Sequence, residues 1–233
     1  MSGAPMPVLG IDTCGPAGSV ALAKVGQNGG SILGQVALEG RTYSATVVEA
    51  VRRLLHQEGL ALSQLGCIVV VNGPGSFTGV RVGLSAAKGL AFGAGVPVVA
   101  VSRLEVLARK SGCPSAALDA HRHELFLRLA QPEGPSVEIL AGRDDFLRYP
   151  APERVAVCDD PAAAILAEVW PSADLVRVEA PTAADAIRVA SSRIGAGDFD
   201  DIVLLDGHYL RRSDAEIFGE KGRPAETGGS FGR

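Results

Sequence analysis

Residues 66–94 read GCIVVVNGPGSFTGVRVGLSAAKGLAFGA, and this stretch decides the fold. Its first part, CIVVVN at 67–72, is a short β-branched run that is typical of a buried strand. A loop rich in glycine follows at 73–76, and the remainder predicts an apolar helix over 77–94. A buried strand, a tight loop and a helix in this order indicate an α/β protein.

The loop has two interpretations. The backbone N–H groups of a Gly-rich turn at a helix N-terminus can cradle a phosphate. That interpretation defines a remnant phosphate site made of Asp12, Gly73, Gly75, Ser76 and Thr78. The other interpretation is a plain tight turn, because the loop lacks both the GK[ST] of a Walker A loop and the spacing of GxGxxG. Asp12 is equally ambiguous, since an aspartate after a strand also stabilises turns.

The rest of the chain predicts two halves with the same order of elements. The first half has strands at 8–13, 19–25, 31–40, 67–72 and 97–101, with helices at 43–58 and 77–94. The second has strands at 116–120, 123–131, 136–140, 154–159 and 174–178, with helices at 161–168 and 183–195 and a short one near 143–148, whereas a short helix at 103–110 closes the first half. We therefore expect two α/β lobes, at 1–101 and 102–218, and a flexible tail at 219–233.

The 77–94 helix carries small residues at every fourth position, namely Gly79, Gly83, Ala87 and Ala91. Glycine inside a helix costs about 0.8–1 kcal/mol relative to alanine, so such a row favours a close approach by another element. The helix is also apolar nearly all round, with Val80 and Leu84 beside the row. It is therefore either fully buried or docked on another chain.

Composition narrows the functional classes. The chain of 233 residues has a net charge of −4 and no basic block, so we expect weak binding of nucleic acid by this chain alone. No uncharged run approaches the roughly twenty residues of a membrane span, and no signal peptide is recognisable. Four dispersed cysteines without a CxxC pattern are typical of reduced thiols, which favours a cytoplasmic protein without a metal site.

Four segments together resemble the TsaB (YeaZ) family of tRNA threonylcarbamoyladenosine biosynthesis proteins. They are IDTCGPAGSVALA (11–23), NGPGSFTGVRVGLSAAKGLAFGAGVPVVAVSRLEVLA (72–108), LDAHRHELF (118–126) and HYLRRSDAEI (208–217). The resemblance covers about residues 8–218, and GPGSFTGVR is its most specific part. It implies a two-lobed fold of the actin-like ATPase superfamily, which is ribonuclease H-like, with a duplicated βββαβαβα topology.

The resemblance also implies a role and partners. TsaB is similar to a shortened form of TsaD, the catalytic subunit that transfers the threonylcarbamoyl group, and it pairs with TsaD and works with the ATPase TsaE. TsaD carries a paired-histidine metal motif on its first long helix, whereas residues 41–47 here read RTYSATV. The expectation is a non-catalytic subunit without cofactor or metal that contacts tRNA only indirectly and dimerises with TsaD, or with itself when alone.

Carried over by position, the docking helices are 43–58 and 77–94. The expected interface residues are Val47, Val48, Val51, Leu55, Gly79, Val80, Gly83, Leu84, Ala87 and Ala91. Two other functions stay open: a small-molecule kinase of the same superfamily, which would use Asp12 and the 73–79 loop, and a peptidase. The absence of a zinc-ligand pattern or a serine–histidine nucleophile pattern weighs against the peptidase.

Overall fold

The computed structural model describes residues 5–26, 29–40 and 42–211, so the tail expected at 219–233 lies outside the described residues. Ten strands form two five-stranded sheets, each belonging to one lobe. The first sheet contains β1 (Met6–Asp12), β2 (Ala17–Gly26), β3 (Gly29–Glu39), β4 (Cys67–Val71) and β5 (Val98–Val101). Its order is β3-β2-β1-β4-β5. β2 runs antiparallel to both of its neighbours, β1 and β3, whereas β4 and β5 run parallel to β1.

The second sheet repeats this arrangement. It contains β6 (Ser115–Asp119), β7 (Leu125–Leu129), β8 (Val137–Ala141), β9 (Arg154–Val157) and β10 (Asp174–Arg177). Read from the other end, its order of β8-β7-β6-β9-β10 matches the first sheet strand for strand, with the same parallel and antiparallel pairs. The predicted two-lobed, duplicated α/β fold of the actin-like type is confirmed.

Within the described residues, five α-helices cover the sheets: α1 (Tyr43–Gln57), α2 (Phe77–Ala94), α3 (Arg103–Ser111), α4 (Asp160–Val169) and α5 (Ala183–Ala196). α1 and α2 contact each other and pack on one face of the first sheet. Consecutive residues of β1 show the two faces, because Gly10 lies against Ile187 of α5 while Ile11 lies beside Gly83 of α2. α3 and α4 pack on the second sheet.

The helix expected near 143–148 is absent, and residues 143–148 form hydrogen-bonded turns. The Asp145 carboxylate accepts a hydrogen bond from the Gly142 N–H at 3.0 Å, and the Arg148 N–H donates to the Asp145 carbonyl at 2.9 Å. Side-chain-to-backbone bonds of this kind compete with helix formation, and six residues are too few to offset the cost of nucleating a helix.

The expected boundary between residues 101 and 102 separates the two sheets but not the two cores. α5 lies beyond this boundary in sequence, yet it packs across the first sheet. The buried face of α5 consists of alanines together with Ile187 and Ile194. Because alanine side chains are short, the helix can approach the strands closely. The Ser19 hydroxyl of β2 also accepts a hydrogen bond from the Ala183 N–H, at 2.8 Å. The core of the first lobe therefore includes a helix that follows the second sheet in the chain.

The small-residue row of α2 faces the protein's own core, which corrects its expected place in a partner interface. Gly79, Val80, Gly83, Leu84, Ala87 and Ala91 are all buried. A Cβ atom on Gly79 or Gly83 would collide with Thr13, whose hydroxyl donates a 2.6 Å hydrogen bond to the Gly79 carbonyl. The same correction applies to Val47, Val51 and Leu55 of α1, which are buried against the first sheet. Of the ten residues expected at the interface, Val48 alone is exposed.

Candidate functional site

The glycine loop between β4 and α2 is held by three neighbouring segments. Ser76 caps α2, since its hydroxyl accepts a hydrogen bond from the Gly79 N–H. The Gly73 carbonyl accepts a 2.6 Å hydrogen bond from the Arg103 N–H at the start of α3. Gly73 itself has a φ of +113° and lies against the His208 carbonyl, so only glycine fits there. The loop is thus a junction between the lobes.

The turn that follows β1 packs into the loop that the sequence offers as a remnant phosphate site. The Cys14 carbonyl accepts a 2.9 Å hydrogen bond from the Ser76 N–H, one of the donors that a phosphate would need. The same carbonyl occupies the space that a Cβ on Gly75 would take. Thr78 and Ser76 are exposed beside this contact, whereas Gly73 is buried. The loop therefore donates a hydrogen bond to another part of the same chain, which supports the tight-turn interpretation.

Asp12 is buried and serves the turn. One carboxylate oxygen, Oδ1, accepts a hydrogen bond from the Cys14 N–H at 2.9 Å. Asp119 ends the equivalent strand of the second lobe and accepts from the His121 N–H in the same way, at 2.8 Å. Burial raises the pKa of Asp12, and the nearby Arg103 charge opposes that rise. An aspartate whose carboxylate accepts a hydrogen bond from the N–H two residues later stabilises a turn. Both lobes contain this arrangement at the end of the equivalent strand.

Arg103 is the residue at this site that sequence analysis missed. It begins α3, it is only 6% exposed, and its guanidinium lies against Gly15 in the turn after β1. The Tyr43 hydroxyl donates a 2.7 Å hydrogen bond to the Gly15 carbonyl, and burial raises the pKa of that tyrosine to about 12. No sequence signal marked Arg103, because an arginine after a helix-capping serine is ordinarily exposed.

One backbone donor of the loop is already used within the chain. The loop donor is occupied by the Cys14 carbonyl, and the neighbouring turn is lined by the buried Arg103 guanidinium. Within residues 5–26, 29–40 and 42–211, no group of three histidine, cysteine, aspartate or glutamate side chains is arranged to hold a metal. In the same residues, no helix is both long and apolar enough to cross a membrane.

A cleft of about 690 Å³ lies between the lobes, apart from Asp12 and the remnant phosphate site. Glu138 on its wall accepts hydrogen bonds from the Ser102 hydroxyl at 2.6 Å and from Arg128 at 2.7 Å, and lies 2.8 Å from His208 Nε2. Burial opposes ionisation of Glu138, but these bonds outweigh it and lower its pKa. The glutamate stands between the serine and the histidine, so this cluster is not a nucleophile–base pair.

The outer face of α1 and α2 exposes apolar and aromatic side chains. Val48 is 52% exposed and Phe92 is 84% exposed. At the start of α2, the Arg81 guanidinium lies 3.8 Å from the ring centre of Phe77, and the Phe77 ring contacts Tyr209 at 5.2 Å. Aromatic residues and arginine are the types most enriched where protein surfaces bind tightly.

Together, the duplicated sheets and the junction loop with its internal contacts define a two-lobed α/β protein of the actin-like class. The family model for TsaD, tRNA N6-adenosine threonylcarbamoyltransferase, matches residues 32–150, and the chain belongs to this family.

Curated relatives named tRNA threonylcarbamoyladenosine biosynthesis protein TsaB are similar over part of the chain. The Escherichia coli protein is 37% identical over 127 residues, which are 52% of this chain and 53% of that protein. The Haemophilus influenzae protein is 36% identical over 125 residues, covering 51% of each chain. The chain thus spans about half the length of the curated relatives it matches.

The fold extends further than these sequence matches. The crystal structure of a Pseudomonas aeruginosa protein described as uncharacterized, with similarity to the peptidase YEAZ, superposes with a TM-score of 0.71 at 27% identity. That superposition covers 88% of this chain and 100% of the other. A second structure, YeaZ from the same organism, gives a TM-score of 0.69 at the same identity and coverage.

Proposed function

We propose that this protein is a non-catalytic subunit required for threonylcarbamoyladenosine formation in tRNA, acting as the partner of a TsaD-type transferase. The observation that carries the proposal is the closed phosphate loop, where the Cys14 carbonyl takes the Ser76 N–H. Because that donor is used within the chain, the loop has one fewer N–H to offer a phosphate, which supports a non-catalytic role. The names of the relatives supply the pathway.

The proposed docking surface is the outer face of α1 and α2, which carries Val48, Phe77, Arg81 and Phe92. A face that combines exposed apolar and aromatic side chains with an arginine suits a protein partner. We assign TsaD to this face, with TsaE joining the larger complex and tRNA reached through TsaD. A second copy of this chain would occupy the same face when TsaD is absent.

Reconstitution tests this proposal. Cognate TsaD and TsaE, threonylcarbamoyl-adenylate and unmodified tRNA are incubated with and without this chain, and the modified adenosine is measured by mass spectrometry of digested tRNA. We expect modification only when the chain is present, and none from the chain alone. Equal product without the chain would remove the proposed requirement, and product from the chain alone would show that it is catalytic.

The kinase alternative predicts that the isolated chain turns over ATP and depends on Asp12. Because Asp12 is buried in a turn, we expect no hydrolysis above a buffer control and no difference between wild type and Asp12→Ala. ATP turnover that Asp12→Ala abolishes would favour the kinase, and stoichiometric zinc in the purified chain would reopen the peptidase.

A further inference from the structure

We propose that Arg103 is an internal cation that ties the second lobe to the phosphate-loop region of the first lobe, so that the lobes stay together without a bound nucleotide. The inference concerns the closure of this chain itself and goes beyond its proposed role as a TsaD partner. An actin-like fold would hold a nucleotide phosphate at the loop after β4, whereas here groups of the chain itself occupy that place.

Arg103 contacts both segments that would surround a phosphate. Its backbone N–H donates to the Gly73 carbonyl at 2.6 Å, and its guanidinium lies against Gly15 in the turn after β1. Its own helix, α3, packs on β6, β7 and β9 of the second sheet. One residue therefore joins the second lobe to the loop after β4 and to the turn after β1.

The charges in this place match each other. Asp12 and Arg103 are both at least nine-tenths buried, and the arginine charge stabilises the ionised aspartate. No direct hydrogen bond joins them, and among the described residues Asp12 Oδ2 and Arg103 Nε have no hydrogen-bond partner. A buried charge without an opposite charge nearby is costly, so each residue lowers the free-energy cost of burying the charge of the other.

In proteins whose domains close around a ligand, the bound ligand holds the domains together by contacting both. Here, Arg103 belongs to α3, which packs on the second sheet, and its guanidinium reaches Gly15 of the first lobe in the manner of such a ligand. The closed arrangement would then be a permanent property of this chain, which suits a subunit that presents a fixed surface.

Amide hydrogen exchange on the full chain, compared across a set of single and double variants, tests the inference. Arg103→Ala removes the cation, Arg103→Lys keeps it, and Asp12→Asn removes the opposite charge. Arg109→Ala is the matched control, because Arg109 lies on the same helix with its side chain 73% exposed. Gly15→Ala, made in wild type and in Arg103→Ala, tests the contact sterically, because its Cβ would collide with the guanidinium.

We expect Arg103→Ala to speed exchange at 12–18 and 73–79 by about tenfold, the size of a typical coupling between contacting residues, with little change at 68–71 and 116–118. Arg103→Lys should restore most of the protection, and Arg109→Ala should change nothing. The double variant Asp12→Asn/Arg103→Ala should exchange no faster than the faster single variant. Gly15→Ala should lower the melting temperature in wild type and lower it less in Arg103→Ala.

Three results would overturn the inference. The first is unchanged exchange at both loops in Arg103→Ala, and the second is an equal rise throughout both cores, which would indicate a merely structural arginine. The third is protection of the wild-type loops by millimolar Mg²⁺–ATP, because closure would then depend on a nucleotide. If Arg103→Ala does not fold, Gly15→Ala is compared in wild type and in Arg103→Lys instead. Because lysine still occupies this place, Gly15→Ala should lower the melting temperature in both backgrounds.

Discussion

Ala87 lies in the contact between α2 and the first sheet, with none of its surface exposed. We predict that Ala87→Leu lowers the free energy of unfolding by about 1–3 kcal/mol, because extra methylenes in a packed core force strain. Chemical denaturation of the isolated chain measures the change. A stability equal to wild type, combined with lost partner binding, would return this row to an interface.

Gly89 on the same helix is the matched control. It is exposed, and a Cβ built there meets no atom within 4 Å. Gly89→Ala should therefore raise the free energy of unfolding by up to about 1 kcal/mol, through helix propensity alone. A loss of stability in this variant would mean that α2 is less regular than described.

At the residue scale, sequence located the small-residue row of α2 but not the direction in which it faces. A row of glycine and alanine permits a close approach and says nothing about whether the approaching element is β1 or another chain. Arg103 was not predictable at all, because its burial depends on Asp12 and Gly15, which lie nearly ninety positions earlier in the chain. Long-range charge placement leaves no local pattern.

At the element scale, Asp185 fixes the start of α5. It forms a capping box with Thr182, and it accepts a 2.9 Å hydrogen bond from Lys110 of α3. Burial disfavours its charge, but the bonds from Lys110 and Thr182 outweigh burial and lower its pKa. A carboxylate whose pKa is lowered on folding stabilises the native state above its unfolded pKa, near 3.8, and loses that effect as pH falls through the native value.

We therefore predict that Asp185→Asn reduces stability most at neutral pH, and that the gap from wild type shrinks steadily as pH falls below about 4. Urea unfolding at a series of pH values measures it. Asp174→Asn is the control, because Asp174 is largely exposed on β10, and it should show a small gap at every pH. A gap for Asp185→Asn that widens in acid would contradict the sign.

Elements were predictable where local signals mark both of their ends. α2 has the bounds 77–94 that the sequence predicts, because Ser76 caps its start and Gly95, with a φ of +66°, ends it. Residues 143–148 lack such signals, and the Asp145 side chain forms turns there instead of a helix. The sequence predicted α5 as a helix, but which sheet it covers depends on tertiary packing.

At the scale of the whole molecule, the exposed face of α1 and α2 should govern assembly. We predict that Val48→Asp and Phe92→Asp each weaken TsaD binding by about 2 kcal/mol, roughly thirtyfold, with an unchanged melting temperature. Titration calorimetry measures the affinity. Leu147→Asp is the control, because Leu147 is 88% exposed in the second lobe. Full affinity in both α1 and α2 variants would move the interface elsewhere.

The acidic balance of the chain leads to a second prediction at this scale. With a net charge of −4, the isolated protein should bind tRNA weakly, because neutralisation of phosphates supplies most of such affinity. Filter binding at physiological salt measures it, and adding TsaD to the same assay is the comparison. Tight binding by the chain alone that collapses with added salt would show a basic surface that the composition does not suggest.

The return of α5 to the first sheet has a consequence for how the chain is made on the ribosome. Strands β1–β5 are all synthesised by residue 101, yet one face of their sheet stays uncovered until α5 at 183–196 has emerged. At about 5–20 residues per second, roughly ninety further residues leave that apolar face exposed for some 5–20 seconds. The nascent chain therefore passes through an aggregation-prone interval, and a fragment that stops at residue 101 should need a chaperone to remain in solution.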